Sequence, residues 1–267
     1  MSFVPNPPED DALHDTLEIT EDAVLGGRIK LKQPRRGHRV GHDAILLAAA
    51  VPARAGDFAI DLGAGVGAAG LALAARVPGV RIALVELDAG LSGLAAENIC
   101  RNHLDQRVRA FTLDVGAGEH AFAAAGLATA TADQVLMNPP FNDSARHNVS
   151  PDAGRLLAHT ASGVVLESWV STAGRLLRPS GTLTMIWRAD GLAAVLAVLK
   201  ENFGGVAVLP VHPRGDKPAI RVIVRAVKGS RAPLSLLSAL VLADEAGKPT
   251  AAANAVLWDA AALPLPS

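Results

Sequence analysis

The chain's clearest chemical signal is the tetrapeptide Asn138-Pro139-Pro140-Phe141. Two consecutive prolines fix φ and carry no N–H, so this backbone is stiff and its carbonyls are left to accept hydrogen bonds from elsewhere. Asn138 adds a side-chain carbonyl and Phe141 a flat apolar face. The set suits a planar group bearing an NH₂, with two acceptors for its hydrogens and a ring against its plane. Such a nitrogen has a delocalised lone pair and is a poor nucleophile. Acceptors held out of its plane, at Asn138 Oδ1 and the Pro139 carbonyl, would favour a more tetrahedral nitrogen with its lone pair aimed at an electrophile. In-line displacement then needs chiefly positioning, with neither a metal nor a covalent nucleophile. The bland alternative is that Asn-Pro-Pro is a turn.

A second cluster lies upstream. Asp61-Leu62-Gly63-Ala64-Gly65-Val66-Gly67 reads as a strand end followed by a glycine-rich turn. Glycines let the backbone bend sharply and let a ligand approach without meeting Cβ atoms, and the helix behind them offers free amides. Nucleotide-dependent dehydrogenases have a similar turn. Three carboxylates at strand ends sharpen it. Asp61 could organise the turn or answer an ammonium group, Glu86 could accept from two ribose hydroxyls, and Asp114 could reach an adenine amino group. A turn residue, an exposed strand end and a helix cap are their respective alternatives.

The elements that must position these groups follow from apolar periodicity. Leu17 to Leu31 alternates around Gly26-Gly27 as a hairpin, and Pro34 to Gly41 is a basic loop. Asp43 stands as an N-cap before a short apolar helix stopped by Pro52. From Asp57 strands and helices alternate: strands at Phe58–Leu62, Arg81–Glu86, Val108–Leu113 and Ala132–Met137, with helices at Ala68–Arg76 and Ala89–His103. A helix at Gly163–Leu177, a strand at Thr182–Trp187 and a helix at Leu192–Phe203 follow. Strands at Gly205–Val211 and Ile220–Val227 have no helix between them, which implies one antiparallel strand. Asn142 to Thr160 is polar without a period and reads as a lid; Leu234 to Ser267 reads as short strands and turns. The fold class is α/β, a doubly wound sheet with its ligand site at the carboxyl ends of the strands.

Composition sets the outer bounds. Half the residues are hydrophobic and 19% are charged, enough for a packed core. The single cysteine, Cys100, excludes an internal disulfide and reads as a small core residue. Neither a signal-peptide pattern nor a membrane-length apolar run is present, so the expectation is a soluble cytoplasmic protein. The net charge of −1 hides two basic runs, Arg28 to Arg39 (with Arg35, Arg36 and Arg39) and Arg214 to Arg231, after an acidic run from Glu9 to Asp22. They read either as solvated faces or as a phosphate-contacting surface. His147 and His159 flank the expected lid and could touch substrate; His38 and His42 lie beside the basic loop. None has metal-ligand spacing.

With these motifs in view, the chain resembles the S-adenosylmethionine-dependent methyltransferase superfamily. The resemblance implies a Rossmann-like methyltransferase sheet, mostly parallel with one antiparallel strand, preceded by the hairpin. It implies that Asp61, Gly63 and Gly65 border the methionine end of S-adenosylmethionine, that Glu86 and Leu87 border the ribose, and that Asp114 and Val115 border the adenine. Asn138, Pro139, Pro140 and Phe141 resemble the Asn/Asp-Pro-Pro-Tyr/Phe motif of amino-nitrogen methyltransferases, with Phe keeping the stacking face and losing a hydroxyl. Gly26-Gly27, Gly37 to Leu47, Glu97-Asn98-Ile99 and Asn-Pro-Pro-Phe together are similar to the bacterial tRNA1(Val) adenine N6-methyltransferase family, over roughly Leu25 to Lys228. That similarity implies a tRNA partner, an extruded adenine against Phe141, and Arg35, Arg36, Arg39, His147 and His159 beside the substrate. A family that methylates a glutamine amide on release factors shares the tetrapeptide, but normally carries a helical domain where this chain has its hairpin. A small-molecule N-methyltransferase, or a silent fold that binds RNA, are the other readings. The expected organisation is one domain over 1–267: a flexible tail (1–16), hairpin and short helix (17–50), catalytic core (57–228) and C-terminal extension (229–267). Neither composition nor motif speaks to oligomeric state.

Overall fold

The computed structural model describes residues 18–36, 39–140, 151–263 and 265, with only the backbone for 151–162. The expected tail, together with Gly37, His38, Phe141 and His147, lies outside these residues, as does the side chain of His159.

The centre is a parallel sheet of β3 (Phe58–Leu62), β4 (Arg81–Glu86), β5 (Val108–Thr112), β6 (Ala132–Met137) and β7 (Leu177–Arg188). These strands are apolar runs such as Ile82-Ala83-Leu84-Val85, as strands covered on both faces must be. They are joined by α2 (Ala68–Arg76), α3 (Ala89–Arg101), α4 (Glu119–Ala124) and α5 (Pro151–Leu176). Then come α6 (Leu192–Leu199), β8 (Phe203–Arg214), β9 (Arg221–Lys228), β10 (Ser235–Leu236), β11 (Leu240–Ala243) and α7 (Ala251–Leu257). The strand order is β10-β8-β9-β7-β6-β3-β4-β5, with β11 also pairing β8. β9 runs antiparallel to both β7 and β8, as the missing crossover helix implied.

Chain order reverses at β3, which has β4 on one side and β6 on the other. The crevice beyond the carboxyl ends of such strands is where α/β sheets bind ligands. One face of the sheet buries α2, α3, α7 and α1 (His42–Ala50), and the other buries α4, α5 and α6.

The hairpin β1 (Ile19–Val24) and β2 (Ile29–Pro34) forms a separate antiparallel pair. It is fastened to α3 by two asparagines one helical turn apart. Asn98 Oδ1 accepts from Lys32 N (2.7 Å) while its Nδ2 donates to Lys32 O (3.0 Å). Asn102 repeats the pattern on the backbone of Lys30. The two amides imitate a neighbouring strand and satisfy alternate edge groups of β2.

Several expectations need correction. Asp43 is not the N-cap of α1: Gly41 is, and Asp43 in the first turn accepts from Arg221 Nε at 2.8 Å. Helix α5 begins at Pro151, so residues 151–160 of the expected lid are helical; proline is well suited to a first helical position. Residues Phe203–Arg214 form one strand, so Phe203 opens β8 rather than ending a helix. The short helices α4 and α7 give too few turns for a period to stand out. Cys100 is exposed, because Ser92, Leu94, Ala95, Asn98 and Ile99 are the positions of α3 that face inward.

Candidate active site

Register decides which strand ends meet. Leu62 pairs with Met137 on one side and with Val85 on the other. The next residue on each strand is Gly63, Asn138 or Glu86, so these three stand side by side at the sheet edge, at the ~5 Å strand spacing. Leu113 N donates to Glu86 O at 2.8 Å, which brings the β5 end and Asp114 into the same row.

The turn after β3 is built for left-handed backbone: Gly63, Gly65 and Gly67 have φ of +69°, +56° and +89°. Gly63 N and Ala64 N both donate to Val85 O, at 2.8 and 3.0 Å. A Cβ on Gly65 would meet nothing within 4 Å, so the turn has open space above it there. Glu86 is oriented by the same backbone, its Oε2 accepting from Gly65 N at 2.8 Å and its Oε1 from Asp88 N at 2.9 Å. Each oxygen keeps a lone pair for a ligand hydroxyl.

Asp61 plays a different part. It is 2% exposed, and its Oδ2 accepts from Gly70 N at 2.9 Å in the first turn of α2. Burial, and secondarily the charge of Glu86, push its carboxyl up to about 7 against the pull of the Gly70 N–H. Of its two expected roles, this geometry fits the organiser of the turn.

Asp114 is exposed and its Oδ1 accepts from Gly116 N at 2.7 Å. Val115 is buried and its carbonyl accepts from Thr172 Oγ1 at 2.9 Å; Leu87 is 64% exposed beside Glu86. Pro139 is buried and Pro140 exposed. Asn138 Oδ1 is sealed from solvent yet has no hydrogen-bond partner among the described residues. A buried amide oxygen left unpaired costs about 1–3 kcal/mol, and such orphans mark places where something else binds.

Two residues to which sequence reasoning assigned no role shape the turn. Trp169 of α5 rests its indole edge on the turn: a Cβ on Gly63 would lie 2.2 Å from the indole Cη2. Asn98, buried completely, also donates to Val66 O at 3.0 Å and so ties the turn to the hairpin. Trp169 had a signal in the inward-facing spacing of Leu166, Trp169, Val170 and Ala173.

The basic runs are largely engaged internally. Lys32 pairs with Glu97 (2.9 Å), Arg35 with Glu18 (3.1 Å) and Arg39 with Asp22 (2.7 Å), while Arg101 reaches Glu21. Arg36 is exposed with no carboxylate beside it among the described residues. In the second run Arg214 and Lys217 share Asp216, Arg221 meets Asp43, and Lys228 donates to Leu177 O. A depression lined by Lys32, Ala96, Glu97, Cys100 and Arg101 lies on the hairpin side of α3, away from the strand ends. Among the described residues no helix is long and apolar enough to cross a membrane, and no three potential metal ligands converge.

Comparison with known proteins adds the family. A family profile described as "Methyltransferase small domain" matches residues 38–213. A tRNA1(Val) (adenine(37)-N6)-methyltransferase of Dickeya chrysanthemi is 27% identical over 84% of this chain and 88% of its own length. One of the same name from Tolumonas auensis is 31% identical over 58% of this chain and 62% of its own. Among solved structures, a predicted O-methyltransferase from Agrobacterium tumefaciens superposes with a TM-score of 0.69 at 29% identity, covering 83% of this chain and 98% of that one.

Proposed function

The chain belongs to the methyltransferase small-domain family and uses S-adenosylmethionine, and from this footing we propose that it methylates the exocyclic N6 of an adenine in tRNA. The residues fit the cofactor: Gly65 leaves open space over the turn, Glu86 is oriented with lone pairs to spare, and Asp114 stands at the next strand end. Gly63 and Gly65 would hold the methionine half, Glu86 and Leu87 the ribose, and Asp114 with Val115 the adenine. When bound, S-adenosylmethionine supplies an electrophilic methyl group on a sulfonium.

The observation that carries the choice of acceptor is the buried, unpaired Oδ1 of Asn138 in the same row of strand ends as Gly63. Asn138 Oδ1 and the Pro139 carbonyl accept the two hydrogens of the adenine amino group and hold the nitrogen so that its lone pair faces the methyl. The Asn-Pro-Pro-Phe resemblance assigns the stacking face for the base to Phe141, which lies outside the described residues. The methylated nitrogen then sheds its extra proton to water. An oxygen acceptor carries one hydrogen and would leave one of the two carbonyls idle, which weighs against carrying O-methylation over from the Agrobacterium relative. The names of the Dickeya and Tolumonas relatives support tRNA as the carrier of the adenine. Arg214 and Lys217, which share the single carboxylate of Asp216, leave a net positive charge at the carboxyl end of β8, on the side that such a substrate would approach.

The test is transfer of labelled methyl from S-adenosylmethionine to unmodified tRNA, rRNA and a protein extract in parallel. Label recovered from tRNA as N6-methyladenosine is the expected result; label in protein would move the acceptor to a glutamine amide. Asn138→Ala should lower turnover about 10²-fold or more while cofactor affinity stays within a factor of about two. Loss of cofactor binding instead would overturn this division of labour.

A further inference from the structure

We propose that the indole of Trp169 is the aromatic wall of the methionine half of the cofactor pocket, and that it recognises the positive charge of the sulfonium. The inference rests on the cofactor assignment above but not on the identity of the acceptor. Trp169 stands on α5, on the far side of the crevice from the hairpin and α3, and packs with Leu166 and Val170 onto the sheet face that holds α4, α5 and α6. Its six-membered ring edge lies over Gly63: a Cβ there would be 2.2 Å from Cη2, 2.8 Å from Cζ3 and 3.4 Å from Cζ2. Only glycine lets the indole come so close. An indole that touches the turn by its edge leaves its faces free of that contact, and on this proposal one of them is turned to the ligand.

Trp169 is half-buried although it packs against the core, so part of the ring is left for a ligand. The turn supplies amides and Glu86 supplies a carboxylate, but neither is a soft, polarisable surface. A cation against the face of tryptophan is held by the ring quadrupole, most strongly where water is excluded. The sulfonium is such a cation, and it becomes a neutral thioether once the methyl has left. A wall of this kind therefore favours the methyl donor over the spent product and assists product release. Trp169 is thus a positioning and discriminating residue, and takes no part in proton movement.

The experiment compares calorimetric affinities for S-adenosylmethionine and S-adenosylhomocysteine in wild type, Trp169→Phe and Trp169→Leu. Trp169→Leu should weaken S-adenosylmethionine about fivefold to tenfold and leave S-adenosylhomocysteine within about twofold, with Trp169→Phe between. Equal weakening of both ligands would reduce the indole to ordinary packing and overturn the proposal, as would no change in either. Indole emission gives a check that does not require the leucine variant to fold. Titrating wild type with S-adenosylmethionine should change the emission, and Trp169→Phe should abolish most of that change while Trp258→Phe, at the hairpin, keeps it. A signal that survives Trp169→Phe sinks the proposal. Absence of S-adenosylmethionine binding by the wild type would overturn the cofactor assignment and this inference together. Binding without methylation of any tRNA would overturn only the acceptor.

Discussion

Replacing Asn98 with alanine should cost far more than its distance from the chemistry suggests. The side chain is completely buried and its amide serves three backbone groups: Lys32 N, Lys32 O and Val66 O. The bond to Val66 is the buried one, and truncation leaves that carbonyl without water or protein, at about 1–3 kcal/mol. The two Lys32 groups are half-buried and should each lose about 1 kcal/mol. The total is about 3–5 kcal/mol, a large fraction of the stability of an ordinary domain. Asn102→Ala is the control, because it removes the equivalent pair on Lys30 where water can take over; it should cost about 1 kcal/mol. Urea unfolding with linear extrapolation measures both. Val66 lies inside the glycine turn, so Asn98→Ala should also weaken S-adenosylmethionine binding and Asn102→Ala should not. Equal costs for the two variants, or a cost for Asn98→Ala below about 1 kcal/mol, would refute the argument that the hairpin is stapled to the turn through this amide.

Other consequences follow from single buried groups. Asp61, with its carboxyl pushed up to about 7, keeps in the fold a proton that the unfolded chain releases near pH 4. Its contribution to stability therefore falls as pH rises from about 4 to about 7, by up to about 4 kcal/mol. Asp61→Asn keeps an acceptor for Gly70 N, so the variant should gain on wild type between pH 5 and pH 8 in parallel urea titrations; a difference independent of pH would contradict this. Gly70→Ala drives a Cβ to 2.3 Å from Leu84 Cδ2, and should destabilise by about 1–3 kcal/mol. Gly93→Ala, on the exposed side of α3 with nothing within 4 Å, should instead stabilise by up to about 1 kcal/mol; thermal unfolding of the pair showing the same sign would defeat the reasoning. Arg225 is 5% exposed, and among the described residues neither its Nη2 nor the cross-strand Thr184 Oγ1 has a hydrogen-bond partner. Arg225→Met should therefore be neutral or stabilising in urea unfolding, and a loss above about 2 kcal/mol would show that the guanidinium has a partner of its own.

How much of this was legible in advance depends on the range of the interaction. The strands ending at Leu62, Glu86 and Met137 were readable because each is an apolar run closed by a turn signal, and that signal is local. The antiparallel β9 was readable because too few residues separate it from β8 to form a crossover. Helix α5 was only half readable, since its first turns are polar and carry no period, leaving Pro151 as a start signal that proline alone does not make specific. The pairing between the charge runs was not readable. Glu18 to Asp22 and Arg35 to Arg39 look like separate surfaces along the chain, yet the hairpin and the loop after it fold them onto one another as ion pairs.

By itself the amino-acid sequence determined the doubly wound architecture, the glycine-rich turn, the acceptor tetrapeptide and through them the family. All of these are written in residue types a few positions apart, which act through backbone conformation and solvation. Only the tertiary structure decided that Asp61 supports the turn from beneath, that Asn98 staples it to the hairpin, that Trp169 stands on Gly63, and that Asn138 Oδ1 is buried without a partner. Those facts depend on strand register and on which helix face meets the sheet. Packing across the whole fold sets both, and no stretch of chain carries that information alone.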